Sequence, residues 1–144
     1  MTDIVVDASL VAKWGLLEER SEEALALYER WESEGVRCLA PSLLVNELTN
    51  TLYKRVQREE ISEKQAREVL SKLLGLAVVL FDDAELADRA MVLAREFRLR
   101  AVYDAFYLSS AELTRCELWT ADERLYNTVR SDLPWVHWIG EFQP

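Results

Sequence analysis

Near the start of the chain stands Ile4-Val5-Val6-Asp7-Ala8-Ser9, a short apolar run followed at once by an acid and a hydroxyl. Such a run bounded by polar residues predicts a strand, which puts Asp7 at the strand's carboxyl end. Working outward, short apolar runs alternate with longer stretches of helical period. Residues 21–34 carry Ala24, Leu27, Tyr28 and Trp31 on one helical face, and Gly35 is placed to stop that helix. Val36–Ala40 is strand-like. Pro41-Ser42 opens a helix that runs to about Arg58. Ser62-Glu63-Lys64-Gln65 is a capping box that starts another, through about Leu74. Ala77–Phe81 predicts a third strand, and Leu86, Ala90, Leu93 and Phe97 mark a helix from about Asp83. A helix over Asp104–Leu113, a strand over Glu117–Trp119, a second capping box at Thr120-Ala121-Asp122-Glu123 and a last strand over Trp135–Ile139 complete the pattern. Strands alternating with helices predict an α/β fold, three layers deep, with a central and mostly parallel sheet. Sites in such sheets form beyond the carboxyl ends of the strands.

Length and composition narrow the function. A chain of 144 residues, half of them hydrophobic, is expected to form a single domain over 1–144. With 4 Gly, 3 Pro and 30% charged residues it is neither a disordered tail nor a low-complexity fibre. The net charge of −9 gives no bulk attraction to nucleic acid or to an anionic membrane, so any polyanion must be drawn by a metal or a local basic patch. No basic lead, signal peptide or membrane-length apolar run is visible, which predicts a soluble cytoplasmic protein with no membrane partner. Cys38 and Cys116 are solitary and read as small hydrophobes. The lone histidine, His137, leaves little room for Ser-His, Cys-His or multi-histidine metal chemistry.

The acids carry the chemistry. Asp7 ends the first strand. Asp122 follows the strand Leu118-Trp119 after two residues. Asp104 precedes Tyr107, Leu108 and Ala111, and Asp122 precedes Leu125, Tyr126 and Val129, at offsets that turn both acids toward apolar helix faces. A carboxylate on a buried face is unusual unless it is paired or binds a cation. Taken singly, an Asp at a helix start caps free N–H groups, and Asp83 shows the same offsets, so periodicity alone does not select the site. Glu47 has Asn50, Thr51 and Lys54 as its helical neighbours and by itself reads as a solvated charge.

The order and spacing of these segments resemble the PIN-domain family. The matching stretches are Val5-Val6-Asp7-Ala8-Ser9, Asn46-Glu47-Leu48, Tyr103-Asp104-Ala105 and Trp119-Thr120-Ala121-Asp122. The resemblance covers nearly the whole chain and fits the small VapC-type toxins of toxin–antitoxin pairs. It implies a three-layer α/β/α fold and a Mg²⁺- or Mn²⁺-dependent endoribonuclease cutting single-stranded RNA to a 5′-phosphate and a 3′-hydroxyl. It further implies Asp7, Glu47, Asp104 and Asp122 as catalytic, metal-binding acids, with Ser9 and Thr120 as secondary polar groups. A VapB-like antitoxin that blocks the acids with a basic side chain, and a homodimer, are the implied partners.

Leaving out four acids takes the net charge from −9 only to −5, so local cations must guide RNA. Lys13, Arg98, Arg100 and Arg124 are the candidates, each reading otherwise as an ordinary surface charge. Trp14, Trp135 and Trp138 read as packing residues. Leu44, Leu48 and Leu52, with Val45 and Val56 beside them, form a stripe on a helical hairpin over Pro41–Leu74, available either to the chain's own core or to a partner. A phospho-accepting receiver module and a PIN-like scaffold that binds without cutting are the rival readings. A receiver needs adjacent acids after the first strand and a late Lys; here Asp7 stands alone and no Lys follows residue 72. A haloacid-dehalogenase-type phosphatase needs Asp-x-Asp, which Asp7-Ala8-Ser9 fails.

Overall fold

The computed structural model describes residues 2–144. Its strands are β1 (Asp3–Val6), β2 (Arg37–Pro41), β3 (Val78–Phe81), β4 (Glu117–Thr120) and β5 (Val136–Trp138). Its helices are α1 (Ala8–Ala12), α2 (Ser21–Glu34), α3 (Leu43–Gln57), α4 (Glu63–Leu74), α5 (Ala84–Glu96), α6 (Val102–Thr114) and α7 (Glu123–Val129), followed by a 3₁₀ turn over Ile139–Glu141. The strands form one sheet in the order β3-β2-β1-β4-β5, and every pairing is parallel, where the sequence predicted a mostly parallel sheet.

Successive strand side chains point to opposite faces. Ile4, Val5 and Val6 are nevertheless all buried, so the sheet is covered on both sides at β1. On one side α6 lies against β1, β2 and β4, with α5 packed on it; α1 and α3 touch each other and the sheet, and α4 packs on α3. The predicted three-layer architecture is therefore the observed one. At β3 the covering thins, and Val79 and Leu80 are exposed on this edge strand. The chain runs from β1 to β2 and β3 on one side, then returns to place β4 on the other. The reversal opens a crevice beyond the carboxyl ends of β1 and β4, the usual ligand position in such sheets. It also removes the receiver reading, because that fold carries strand order 2-1-3-4-5 with its third strand inside the sheet, whereas β3 here is an edge.

Local signals acted as their chemistry dictates. Gly35 ends α2 at φ 72°, a left-handed conformation in which glycine avoids the Cβ penalty. Ser62 and Gln65 form the reciprocal capping box of α4. Two expectations need correction. The second capping box does not form as read: Asp122, not Thr120, caps α7, accepting the Leu125 N–H at 3.1 Å. Thr120 instead closes β4, because its hydroxyl is held by a residue far away in sequence. Asp104 does not open its helix either; α6 begins two residues earlier, at Val102, with Ala101 as its cap. Helix α1, at five residues, is too short to carry a periodic signal in the sequence. The stripe Leu44, Leu48 and Leu52 is buried within the chain's own core, while Val45 and Val56 are half-buried.

Candidate active site

Asp7 is the residue around which the crevice is built. It caps α1 directly after β1, it is buried, and its carboxylate accepts three hydrogen bonds. The Leu10 N–H and the Ser9 hydroxyl reach Oδ1 at 3.0 and 2.7 Å, and the Thr120 hydroxyl reaches Oδ2 at 2.5 Å. A hydroxyl carries one proton. Both Ser9 and Thr120 therefore use theirs on Asp7, and their mutual contact at 3.2 Å holds none. Each hydroxyl oxygen in turn accepts a backbone N–H, Ala121 onto Ser9 and Asp122 onto Thr120, both at 3.0 Å. Protons thus run one way, from the β4–α7 loop through two hydroxyls to one carboxylate. This network ties residues more than a hundred positions apart and sets Asp122 at the mouth of the crevice.

Thr120 is wholly buried and is both donor and acceptor in that network. Thr120→Val keeps the shape but leaves the Asp122 N–H and Asp7 Oδ2 each short of a partner. Such a loss costs about 1–3 kcal/mol. Urea unfolding should show a drop of that size, larger than for Ser62→Ala, where only an exposed cap worth about 1 kcal/mol is removed.

Of the other acids, Asp104 lies near enough to act on Asp7, and Glu47 and Asp122 act in turn on Asp104. Asp104 lies in the first turn of α6, half-buried, where the helix N-terminus favours an anion. Glu47 is half-buried on α3. Asp122 caps α7 through one oxygen, leaving the other for water. Their electrostatics register the gathering. Burial pushes the Asp7 carboxyl up to about 7, against the three hydrogen bonds that favour the anion, and Asp104 pushes it further. Asp104 is raised to about 6, first by burial, then by the charges of Asp122 and Glu47. Glu47 is raised by burial, partly offset by the nearby Tyr107 hydroxyl. No lysine or arginine relieves any of the three. Tyr107 is itself buried, one turn after Asp104, and its hydroxyl lies near Glu47 without completing a hydrogen bond.

Acid oxygens drawn together without a cation are the donor set that Mg²⁺ or Mn²⁺ prefers. Among the described residues no group of three such side chains closes tightly enough to hold an ion unaided. Mg²⁺ needs no closed cage, since it keeps several waters and takes one or two carboxylates directly. The orphaned Tyr107 hydroxyl beside Glu47 adds a polar group suited to such a water.

Among the predicted guiding cations, Lys13 is already engaged: its ammonium meets Glu18 at 3.2 Å and the Glu19 carbonyl at 2.6 Å. Arg98 and Arg100 are exposed in the segment leading to α6, and Arg124 is exposed on a shallow hollow shared with Asp122. Trp14 is buried, donates its indole N–H to the Ala24 carbonyl and packs on Tyr28 and Trp31. Trp138 stacks on Tyr126 beneath Arg20, and His137 stacks on Trp119; both are packing roles. No helix among the described residues is long and apolar enough to cross a membrane.

A cavity of about 670 Å³ touches this site only at Glu47. It lies between α3, the β3–α5 turn and α6, and its other polar walls escaped the sequence reading. Ser42, Asn50 and Asp82 give no periodic signal, and only the approach of β3 to α3 unites them.

Residues 4–130 match the PIN domain. Ribonuclease VapC3 of Pyrobaculum aerophilum is 34% identical over 124 residues, spanning 85% of this chain and 91% of that protein. Among solved structures, PAE2754 from Pyrobaculum aerophilum superposes with a TM-score of 0.66 at 26% identity, covering 88% of this chain and 84% of that one. A toxin–antitoxin complex from Klebsiella pneumoniae shares the fold, with a TM-score of 0.62 at 21% identity over 92% of this chain and 94% of that one.

Proposed function

The chain belongs to the PIN domain family, and on that premise we propose that it is a VapC-type endoribonuclease, dependent on Mg²⁺ or Mn²⁺, that cuts single-stranded RNA by attack of water on the phosphodiester. One observation carries the reading: beside the reversal of the sheet Asp7 and Asp104 are raised by burial and by neighbouring acids, Asp104 acting on Asp7 and Glu47 and Asp122 acting on Asp104, with no basic partner among the described residues. A divalent ion supplies Lewis acidity toward a phosphoryl oxygen and the positive charge that a chain of net −9 otherwise lacks.

Asp7 would be the fixed ligand, since three donors hold its two oxygens in one orientation. Asp104 would be the second ligand, presented from the first turn of α6. Glu47 and the free oxygen of Asp122 would orient water of the bound ion. Ser9 and Thr120 do not touch substrate; they position Asp7 and anchor the loop that carries Asp122. Arg98, Arg100 and Arg124 guide the strand, whereas Lys13 serves the internal pair with Glu18.

The partners follow the same premise: a VapB-like antitoxin that sets a basic side chain against the acids, and a second copy of the chain. The test is direct. Purified protein should cut single-stranded RNA with Mn²⁺ or Mg²⁺, stop with EDTA, and resume when the ion is restored in excess. Cleavage that persists in EDTA contradicts the metal-dependent reading.

A further inference from the structure

The cavity beside Glu47 has a composition that the chemistry of cutting does not require. Asn46 and Asn50 stand on α3 on either side of Glu47. Tyr103 closes the opposite wall, immediately before Asp104, and is 53% exposed although aromatic. Asp82, exposed at the end of β3, also lines the cavity and accepts the Ser42 hydroxyl on both oxygens, at 2.6 and 2.7 Å. No lysine or arginine lines the cavity, so it repels a phosphate.

We propose that this cavity is a nucleobase subsite, taking the base next to the scissile phosphate. The proposal rests on the ribonuclease reading. An exposed aromatic ring is a stacking platform for any base, and a base lying on Tyr103 holds its own phosphate toward Asp104. Carboxamides read base edges in either polarity. The Asp82 carboxylate only accepts, and its single donor, Ser42, leaves lone pairs for a base that donates. Guanine offers adjacent N1–H and amino donors, and cytosine and adenine one amino group each. Uracil sets carbonyl oxygens against the carboxylate and is the disfavoured base.

The test uses the full chain with Mn²⁺ on a random-sequence single-stranded RNA, mapping every cut and measuring KM and kcat on one preferred oligonucleotide. Wild type should favour guanine, and disfavour uracil, at one position fixed relative to the cut. Tyr103→Ala should raise KM about tenfold or more by loss of stacking, with kcat within about twofold, while Tyr103→Phe should behave as wild type. Asp82→Asn should weaken the preference for guanine over uracil and leave KM for the uracil substrate no higher than in wild type. If wild type cuts but Tyr103→Ala keeps both KM and base preference, the subsite is refuted and the nuclease stands. If wild type cuts no RNA with either ion, the nuclease reading itself fails. Light scattering on the same variants adds a check: a dimer that falls apart in Tyr103→Ala assigns the cavity to a second copy and overturns the base subsite.

Discussion

Asp7→Asn is expected to lower RNA cleavage by on the order of 10³-fold or more, with the fold intact. The effect is large because the acid lost is the one whose position is set by three hydrogen bonds at the sheet reversal, and a divalent ion held there would act on both the phosphate and the water. The fold tolerates the change for a stated reason. An Asn carbonyl can take the Oδ1 role, accepting from Ser9 and Leu10. Its amide then faces Thr120, whose oxygen has a second lone pair beyond the one used by the Asp122 N–H. The far-UV circular dichroism should match wild type while Mn²⁺ no longer raises the melting temperature. Retained activity with an unchanged Mn²⁺ shift would remove Asp7 from the metal site.

The second expectation concerns pH. In EDTA, folding stability should fall as pH rises from about 4 to about 7. A carboxyl raised from 3.8 to about 7 on folding binds more protons folded than unfolded across that window, so stability present at low pH is lost as the pH climbs. At about 1.4 kcal/mol per pH unit, Asp7 alone accounts for about 4 kcal/mol. Asp104, raised to about 6, adds to the same slope at its lower end. Saturating Mn²⁺ should make the slope shallower, because ligand protons compete with the ion and its affinity grows as they leave. Its stabilisation at one hundred times the dissociation constant is about 2.7 kcal/mol. Urea unfolding at pH 5, 6, 7 and 8, with and without Mn²⁺, reads both slopes. In Asp7→Asn the slope in EDTA should flatten; a slope as steep as that of wild type would place the raised carboxyl elsewhere.

Much of this fold was legible because its signals are local. Ile4-Val5-Val6 must be extended and buried, Gly35 and the Ser62 box mark helix ends, and the alternation of strands with helices fixes a parallel sheet. The acids were legible through their segments rather than through periodicity. Asp83 has the offsets of Asp104, yet it stands exposed at the sheet edge, and its Oδ1 accepts the Glu85 N–H at 2.8 Å. Glu47 has polar neighbours one turn on, as a solvated charge would, but α3 carries it to the crevice, where burial raises it. Thr120 reads as a helix cap because the residues after it suit one; its actual partner is 113 positions away. Contacts of that range belong to topology, and no window of sequence contains them.

The central claim is that Asp7 and Asp104, brought together by the reversal of the sheet, grip one divalent ion. Anomalous diffraction from crystals soaked in Mn²⁺ tests it without reference to activity. A manganese peak within coordination distance of both carboxylates is the predicted result. A peak that touches neither, in crystals where both side chains are ordered, would contradict it.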